Sequence, residues 1–332
     1  MGTGWKEEKH GRPLKDRLVG TILLFKRTQN NRGLLKMDCD GALTVDLEDW
    51  HNALVKRTKS GSCLAGPLTD AEHLQRIVRM LLREFANSST KATFFVVGEV
   101  VREVPEIVAE IVKNGHEIAS HSSIHVPPNM IPKDKLRSML EEDIAIFRKI
   151  SGEAPIGFRA PYFAITRKDG WLLRLLSELG FKYDSSVFPA WTPLYGLPKA
   201  SRRPYFPDFC DLTESARNGP ILEIPLSVWP STRILPALPM AGGFFLRALP
   251  LKVQVFMLRS LVKRGERLVL YVHPADVDNE RHSTKGMSFE DSFIQNIGKG
   301  NGLRNLRSIL KEFRLVQVKD AFSQDIQRTN RE

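Results

Sequence analysis

The stretch ATFFVVGEVVREVPEIVAEIVKNGHEIAS, residues 92–120, decides the fold of this chain. It opens with an apolar run at 92–97 and continues as a helix that begins at Pro105 and is closed by Gly115. It ends in a second short extended segment at 117–120. Proline is tolerated in the first turn of a helix and glycine commonly follows the last turn. Two strands joined by a helix predict a parallel βα unit.

The same alternation continues on both sides of this unit. Before it, a strand-like segment at 42–48 leads to a helix whose start carries the capping-box pattern Thr69-x-x-Glu72. After it come a helix at 132–150, a strand at 156–159, a helix at 168–180 and an extended segment at 181–183. The rhythm breaks over 185–220, then returns with strands at 221–226 and 268–273 around a helix at 251–263, and a last helix and strand over 303–318. About seven βα units favour a barrel over an open sheet.

Composition places the chain among globular proteins with a substantial core, since hydrophobic residues make up 42% and charged residues 26%. Lys and Arg number 49 against 38 Asp and Glu, and the net charge of +11 is compatible with nucleic acid, an anionic membrane surface or an acidic substrate. The positive charge is spread along the chain and no nucleic-acid-binding module is recognised, so we expect no nucleic-acid partner. The three cysteines, Cys39, Cys63 and Cys210, are scattered, which favours a reducing compartment over a disulfide framework.

Polar side chains follow several of the strands, at the end where parallel β/α barrels carry their active sites. The first group lies in Thr44-Val-Asp-Leu-Glu-Asp49, where Asp46 and Glu48 share one face of a strand and Asp49 points to the other. Two acids on one face can divide the roles of metal ligand and general base. The same residues would also suit a solvated turn, and the segment alone does not choose.

The second group, His121-Ser-Ser-Ile-His125, directly follows a strand. Histidines four residues apart lie on one face of a helical turn, and neutral imidazole is a preferred zinc ligand. Two surface histidines would show the same spacing. Together with a carboxylate from the first group, the pair gives three protein ligands and an open position for water, as in catalytic zinc sites.

An arginine and a further histidine also stand at strand ends. Arg159 in Gly157-Phe-Arg-Ala-Pro-Tyr162 can hold a catalytic acid ionised, or it can form a structural ion pair. His273 in Leu270-Tyr-Val-His-Pro274 follows another apolar strand. A lone strand histidine is usually structural, but this one arrives where the other groups converge.

Taken together, these segments resemble the polysaccharide deacetylase superfamily, also called NodB-like or carbohydrate esterase family four, over about residues 42–275. The resemblance implies an α/β fold, a distorted (β/α)7 barrel with an inserted irregular segment. It implies that Asp46 is the catalytic base. It further implies that Zn²⁺ or another divalent metal is bound by Glu48, His121 and His125.

The later motifs of the family have counterparts as well. The resemblance implies that His273 is the general acid and that Arg159, with Tyr162, forms the arginine motif. Asp184 in Tyr183-Asp-Ser-Ser186 resembles the fourth motif, whose role in the family is to orient the catalytic histidine or to line the pocket, with Trp191.

One motif departs from the common family pattern. Common members carry adjacent acids in the first motif, whereas this chain has Asp46-x-Glu48-Asp49. Either Glu48 or Asp49 can therefore supply the acidic metal ligand, and the shared strand face favours Glu48. This spacing and the segment Ala241-Gly-Gly-Phe-Phe245 resemble the branch found in exopolysaccharide gene clusters, often beside exosortase genes.

The sequence therefore predicts a metal-dependent deacetylase that removes the acetyl group from an N-acetylated sugar, in a polysaccharide or a lipid-linked saccharide precursor. Two rivals stay open: a deformylase or other amidohydrolase of the same fold, and a non-catalytic carbohydrate-binding protein. The predicted parts are an N-terminal extension (1–40), a catalytic domain (41–322) and a C-terminal tail (323–332). No signal-peptide pattern or bilayer-spanning run is recognised, so we expect a cytoplasmic protein, with peripheral association at the inner face of the membrane.

Overall fold

The computed structural model describes residues 39–49, 70–192, 195–230, 237–240, 242–280, 293 and 296–330. All but the last two residues of the predicted N-terminal extension lie outside this description, as do Cys63, Thr69 and Ala241. Contacts between Cα atoms group Cys39–Glu332 into one unit. Among the described residues, no helix is both long and apolar enough to cross a bilayer.

The strands and helices of the described residues alternate along most of the chain. The strands are β1 (Gly41–Leu47), β2 (Thr93–Val96), β3 (Glu117–Ser120), β4 (Gly157–Phe158), β5 (Tyr183–Asp184), β6 (Phe206–Asp208), β7 (Asp211–Ala216), β8 (Leu222–Glu223), β9 (Val228–Trp229), β10 (Leu238–Pro239), β11 (Leu268–Val272) and β12 (Leu315–Val316). The α-helices are α1 (Ala71–Asn87), α2 (Gly98–Glu103), α3 (Pro105–Lys113), α4 (Lys133–Ser151), α5 (Gly170–Glu178), α6 (Phe244–Ala248), α7 (Leu251–Lys263), α8 (Pro274–Val277), α9 (Gly302–Glu312), α10 (Val318–Ala321) and α11 (Ser323–Ile326).

A curled parallel sheet forms the centre of the fold. Within the described residues its strands follow in the order β11-β1-β2-β3-β4-β5-β8, every pair is parallel, and β12 also pairs with the start of β1. Just beyond β8, the Ser227 amide donates to the Val269 carbonyl of β11 (3.1 Å) and the Val269 amide donates to the Ser227 hydroxyl (2.8 Å). The predicted α/β fold built on parallel βα units is confirmed.

The two-residue period of the strands sorts side chains between the inside of the sheet and the helices outside it. Leu43, Val45 and Leu47 of β1 pack in a cluster with helices such as α1 and α3. A second cluster draws residues from six strands of this sheet and therefore fills the inside of the curl; it contains Ala42, Phe95, Ala119, Tyr183, Leu222, Val269 and Tyr271. Asp46 continues the inner face of β1. His273, directly after Val272, continues the inner face of β11.

Two expectations differ from the structure in detail. The N-cap of helix α1 is Asp70, whose carboxylate accepts from the His73 amide at 2.9 Å, whereas the capping-box pattern predicts Thr69, which lies outside the described residues. The inserted segment is not wholly irregular, because β6 and β7 form an antiparallel hairpin within it. Within the residues predicted as a C-terminal tail, helix α11 buries Ile326 in the inner cluster.

Candidate active site

The polar groups singled out in the sequence gather at the carboxyl ends of the strands. Glu48 follows β1, His121 follows β3, Arg159 follows β4 and His273 follows β11. Parallel strands bring these ends to one edge of the sheet, which is why segments more than 200 residues apart in the chain can share a site.

Glu48, His121 and His125 form a buried cluster of ligand-type atoms. One carboxylate oxygen and one nitrogen from each imidazole all lie within 4.8 Å of one another. The Glu48 carboxylate contacts the Nε2 atom of His125 and lies 4.0 Å from that of His121. All three residues are at most 3% exposed, so an ion held here would be shielded from bulk water.

The two histidines do not lie on a helical turn, contrary to the sequence-based expectation. Residues 121–127 form neither helix nor strand, and Ser122 adopts a left-handed conformation with φ 66°. This turn replaces the helical spacing and still places the two rings 5.4 Å apart, centroid to centroid. Spacing alone could not distinguish the two ways of bringing the imidazoles together.

The ring of His121 has a fixed orientation. Its Nδ1–H donates to the Arg159 carbonyl at 2.9 Å, which leaves the Nε2 lone pair facing Glu48. Burial lowers the pKa of His121 to about 4, so the imidazole is neutral at ordinary pH. A neutral ring whose other nitrogen donates to a carbonyl is the usual state of a metal-binding histidine.

Glu48 is ionised although it is buried. Burial opposes its charge, but the contact with His125 and the nearby His273 outweigh that effect and hold the pKa of Glu48 below its usual range. Asp49 is buried on another side, where it lines a small cavity with residues such as His73 and Asp278. The structure thus brings Glu48, and not Asp49, to the histidines, as the same-face argument predicts.

Asp46 lies beside this cluster and is held by Arg159. The Nη1 group of Arg159 donates to Asp46 Oδ1 at 2.5 Å and to the Thr44 hydroxyl at 2.8 Å. Its Nε and Nη2 groups donate to the carbonyl and hydroxyl oxygens of Ser185. The guanidinium is fully buried and stacks 4.0 Å from the centre of the Phe95 ring, so its direction is fixed on every side.

His273 follows β11, which pairs with the edge of β1 opposite to the one that pairs with β2. Its Nε2 atom lies 3.6 Å from Glu48 Oε1. Its side chain is 21% exposed, whereas the side chains of Glu48, His121 and His125 are at most 3% exposed. It therefore sits at the mouth of the site, where a substrate could reach it.

The sequence reasoning missed the partners of His273. Its Nδ1–H and its backbone amide both donate to Asp276 Oδ2, at 2.8 and 2.9 Å, and Arg247 donates to the other carboxylate oxygen at 2.9 Å. Burial opposes the charge of His273, but Asp276 and Glu48 outweigh it and raise its pKa to about 9. The available signal was His273-Pro-Ala-Asp276, because proline starts helix α8 and places an acid at its third position.

Tyr162 and Asp184 occupy different places. The ring of Tyr162 packs edge-on against His125 with 4.3 Å between centroids, and its backbone is left-handed with φ 57°. Asp184 is fully buried and accepts from the Ser186 hydroxyl, which in turn accepts from the Ala160 amide beside Arg159. The carboxylate that hydrogen-bonds to His273 Nδ1 is that of Asp276 and not that of Asp184. Trp191 is 68% exposed.

Parts of this chain are similar to known polysaccharide deacetylases. The family model for polysaccharide deacetylase matches residues 66–183, and a domain of unknown function, DUF3473, matches residues 185–323. Peptidoglycan deacetylase-like protein FGM2 of Gibberella zeae is 30% identical over 179 residues, which is 52% of this chain and 50% of that protein. Peptidoglycan deacetylase of Helicobacter pylori is 29% identical over 116 residues, 35% of this chain and 39% of that protein. Residues 66–183 thus resemble the polysaccharide deacetylase family.

The matched region spans half or less of each of these two curated relatives. Solved structures resemble most of the chain at low identity. PuuE allantoinase matches with a TM-score of 0.55 and 18% identity over 91% of this chain and 94% of that one. The probable polysaccharide deacetylase of Pseudomonas aeruginosa PAO1 matches with a TM-score of 0.52 and 18% identity, over 87% and 89% of the two chains. These likenesses show the fold.

The donor set suits a divalent metal such as zinc. Histidine imidazoles and carboxylates are common zinc ligands, and three protein ligands leave a position for water. The orientation of His121 by the Arg159 carbonyl supplies the outer contact that such ligands usually have.

Proposed function

We propose that this protein is a metal-dependent deacetylase that hydrolyses the N-acetyl amide of a sugar in a polysaccharide or a lipid-linked saccharide precursor. The observation that carries the proposal is the placement of two proton-transfer groups around one buried cluster. Asp46, bound to Arg159, and His273, bound to Asp276, lie at the same strand ends as Glu48, and His273 Nε2 is 3.6 Å from Glu48 Oε1.

A divalent metal bound by Glu48, His121 and His125 would polarise the amide carbonyl and lower the pKa of a bound water. Asp46 accepts the proton of the attacking water, and Arg159 keeps that carboxylate aimed at the site. His273 donates a proton to the leaving amine, and its raised pKa keeps the imidazolium available at neutral pH. The backbone near Tyr162 contributes to stabilising the negative oxygen of the tetrahedral intermediate.

The substrate class rests on the relatives. One relative is the peptidoglycan-N-acetylglucosamine deacetylase of Bacillus cereus, which is 32% identical over 25% of this chain and 30% of that protein. Its name states that it acts on an N-acetylated sugar. We propose the same class of amide here, with exopolysaccharide biosynthesis as its setting. The nearest rival substrate is a formyl or other acyl amide on the same kind of sugar.

The experiment combines metal analysis of the purified protein with release of acetate or formate from a panel of N-acetylated and N-formylated saccharides. Wild type should contain about one divalent ion per chain and release acetate. His121→Ala and His125→Ala should lose most of the metal, because each removes one of three protein ligands. Glu48→Ala should empty the site while its matched control, Asp49→Ala, should retain the ion.

Equal metal content in wild type and in folded His121→Ala and His125→Ala would reject the assigned ligands. Metal-loaded protein that releases formate but no acetate would move the function to the rival substrate. Protein that binds saccharides without turnover at any metal loading would make it a binding protein.

A further inference from the structure

The loop between His121 and His125 does not keep its shape by itself. It belongs to no helix or strand, and Ser122 is left-handed although fully buried. Such a backbone persists only where surrounding contacts fix it. Because the two histidines flank the loop, whatever fixes the loop also fixes the separation of the two imidazoles.

The first turn of helix α2 binds the backbone of this loop. The Gly98 amide donates to the Ser122 carbonyl at 2.9 Å, and the Glu99 amide donates to the Ser123 carbonyl at 3.1 Å. The loop is therefore attached to α2 through the carbonyl groups of Ser122 and Ser123.

Arg102, further along α2, binds the same loop with its side chain. Its Nη2 group donates to the Ser123 carbonyl at 3.0 Å, and its Nη1 group donates to the Ser123 hydroxyl at 3.2 Å. The same guanidinium pairs with Asp143 of helix α4. The rigid fork of a guanidinium can make these contacts together, which a lysine ammonium cannot do as well.

Asp143 is confined to this position. Its side chain is 1% exposed, and burial raises the pKa of its carboxyl, so it depends on Arg102 for its charge to be tolerated. Gly98 leaves the room for it, because a Cβ atom at residue 98 would lie 2.3 Å from Asp143 Oδ2. Helices α2 and α4 are thus joined by an ion pair whose carboxylate is buried.

We infer that Arg102 and Asp143 are positioning residues for the metal site. They are not among the ligand groups, yet they set the metal affinity by fixing the loop that carries His121 and His125. The inference rests on the metal site of the proposed function. Loss of comparable outer contacts at metal sites typically lowers affinity about 10- to 100-fold.

The test uses Arg102→Met, which keeps the apolar stem of a side chain that is 36% exposed. Arg137→Met is the matched control, because Arg137 is 39% exposed and pairs with Glu178 rather than with the loop. Two quantities are measured on each full-length protein: the Zn²⁺ dissociation constant by competition with a chromophoric chelator, and hydrogen exchange of the loop peptide in the metal-free state.

Arg102→Met should bind Zn²⁺ about 10-fold or more weakly than wild type and exchange its loop amides faster, while Arg137→Met should match wild type in both. Arg102→Lys should recover part of the affinity. Wild-type affinity in Arg102→Met overturns the inference. If wild type itself binds no Zn²⁺, the metal site of the proposed function fails, and unchanged loop exchange in Arg102→Met then overturns the positioning role separately.

Discussion

Replacement of Arg159 by methionine should destabilise the protein by about 3–5 kcal/mol, because it leaves Asp46 charged, buried and without its counter-ion. The guanidinium is 0% exposed and donates four hydrogen bonds, to Asp46, Thr44 and twice to Ser185. Water cannot replace these donors without entering the inside of the sheet. The methionine side chain fills part of the volume against Phe95 but supplies no donor.

A double-mutant cycle separates the ion pair from the packing. Asp46→Asn keeps the shape of the side chain and removes its charge, so the combination Asp46→Asn/Arg159→Met should be less destabilised than the two single variants summed, by about 1–3 kcal/mol. The free energy of unfolding is measured by urea titration of metal-free protein, since bound metal would add its own stabilisation.

The matched control is the exposed pair Arg137 and Glu178, whose side chains are 39% and 49% exposed. In Arg137→Met/Glu178→Gln the coupling should be about 0–1 kcal/mol, as for other surface pairs. A coupling for Asp46 and Arg159 no larger than that of this control would refute the reasoning that Arg159 holds Asp46 in place.

Three further outcomes are expected. His273→Ala should keep its metal and lower kcat/KM by about 10²- to 10⁴-fold. Asp276→Asn removes the group that raises the pKa of His273 to about 9, so it should move the basic limb of the pH profile of kcat/KM to lower pH. A basic limb that does not move would belong to another group. Burial lowers the pKa of His116 from 6.5 to about 4. As the pH drops between these values, the unfolded chain binds a proton on this imidazole before the folded chain does, so the free energy of unfolding falls. His116→Asn, which keeps an acceptor for the Ala92 amide, should show a smaller fall in urea midpoint between pH 7 and 4.5, and parallel curves would contradict this. The net charge of +11 predicts co-sedimentation with anionic but not neutral vesicles at low salt, and equal binding to both would end the membrane proposal.

The fold was predictable from the sequence because apolar residues recur with different periods in its strands and helices, and because proline and glycine mark the helix ends. Helix α3 begins at Pro105, and Gly115 just beyond its end is left-handed with φ 77°, as the sequence predicts. The hairpin β6–β7 was missed because Asp211–Ala216 mixes acidic, small and apolar residues without alternation. Its antiparallel pairing depends on contacts that no local pattern records.

The candidate site was predictable where a motif places side chains by strand periodicity alone. Asp46 and Glu48 share the inner face because β1 is regular to Leu47. The conformation of the histidine loop was not predictable, because Ser122 is left-handed through contacts with residues more than 20 positions earlier in the chain. Asp276 contacts His273 because helix α8 begins directly after β11, and the start of that helix is fixed only once the chain has folded.

The position of β1 in the middle of the sheet has a consequence for synthesis of the protein. Its neighbours β11 and β12 lie some 220 or more residues downstream, as the bond from the Thr44 hydroxyl to the Leu270 carbonyl, 226 positions away, illustrates. At ribosomal rates of roughly 5–20 residues per second, the nascent β1 waits on the order of 10 s or more for these partners. Over that interval one edge of this apolar strand lacks its final pairing partners and can pair with other chains. The acids of the site are thus made long before the strands that complete their surroundings.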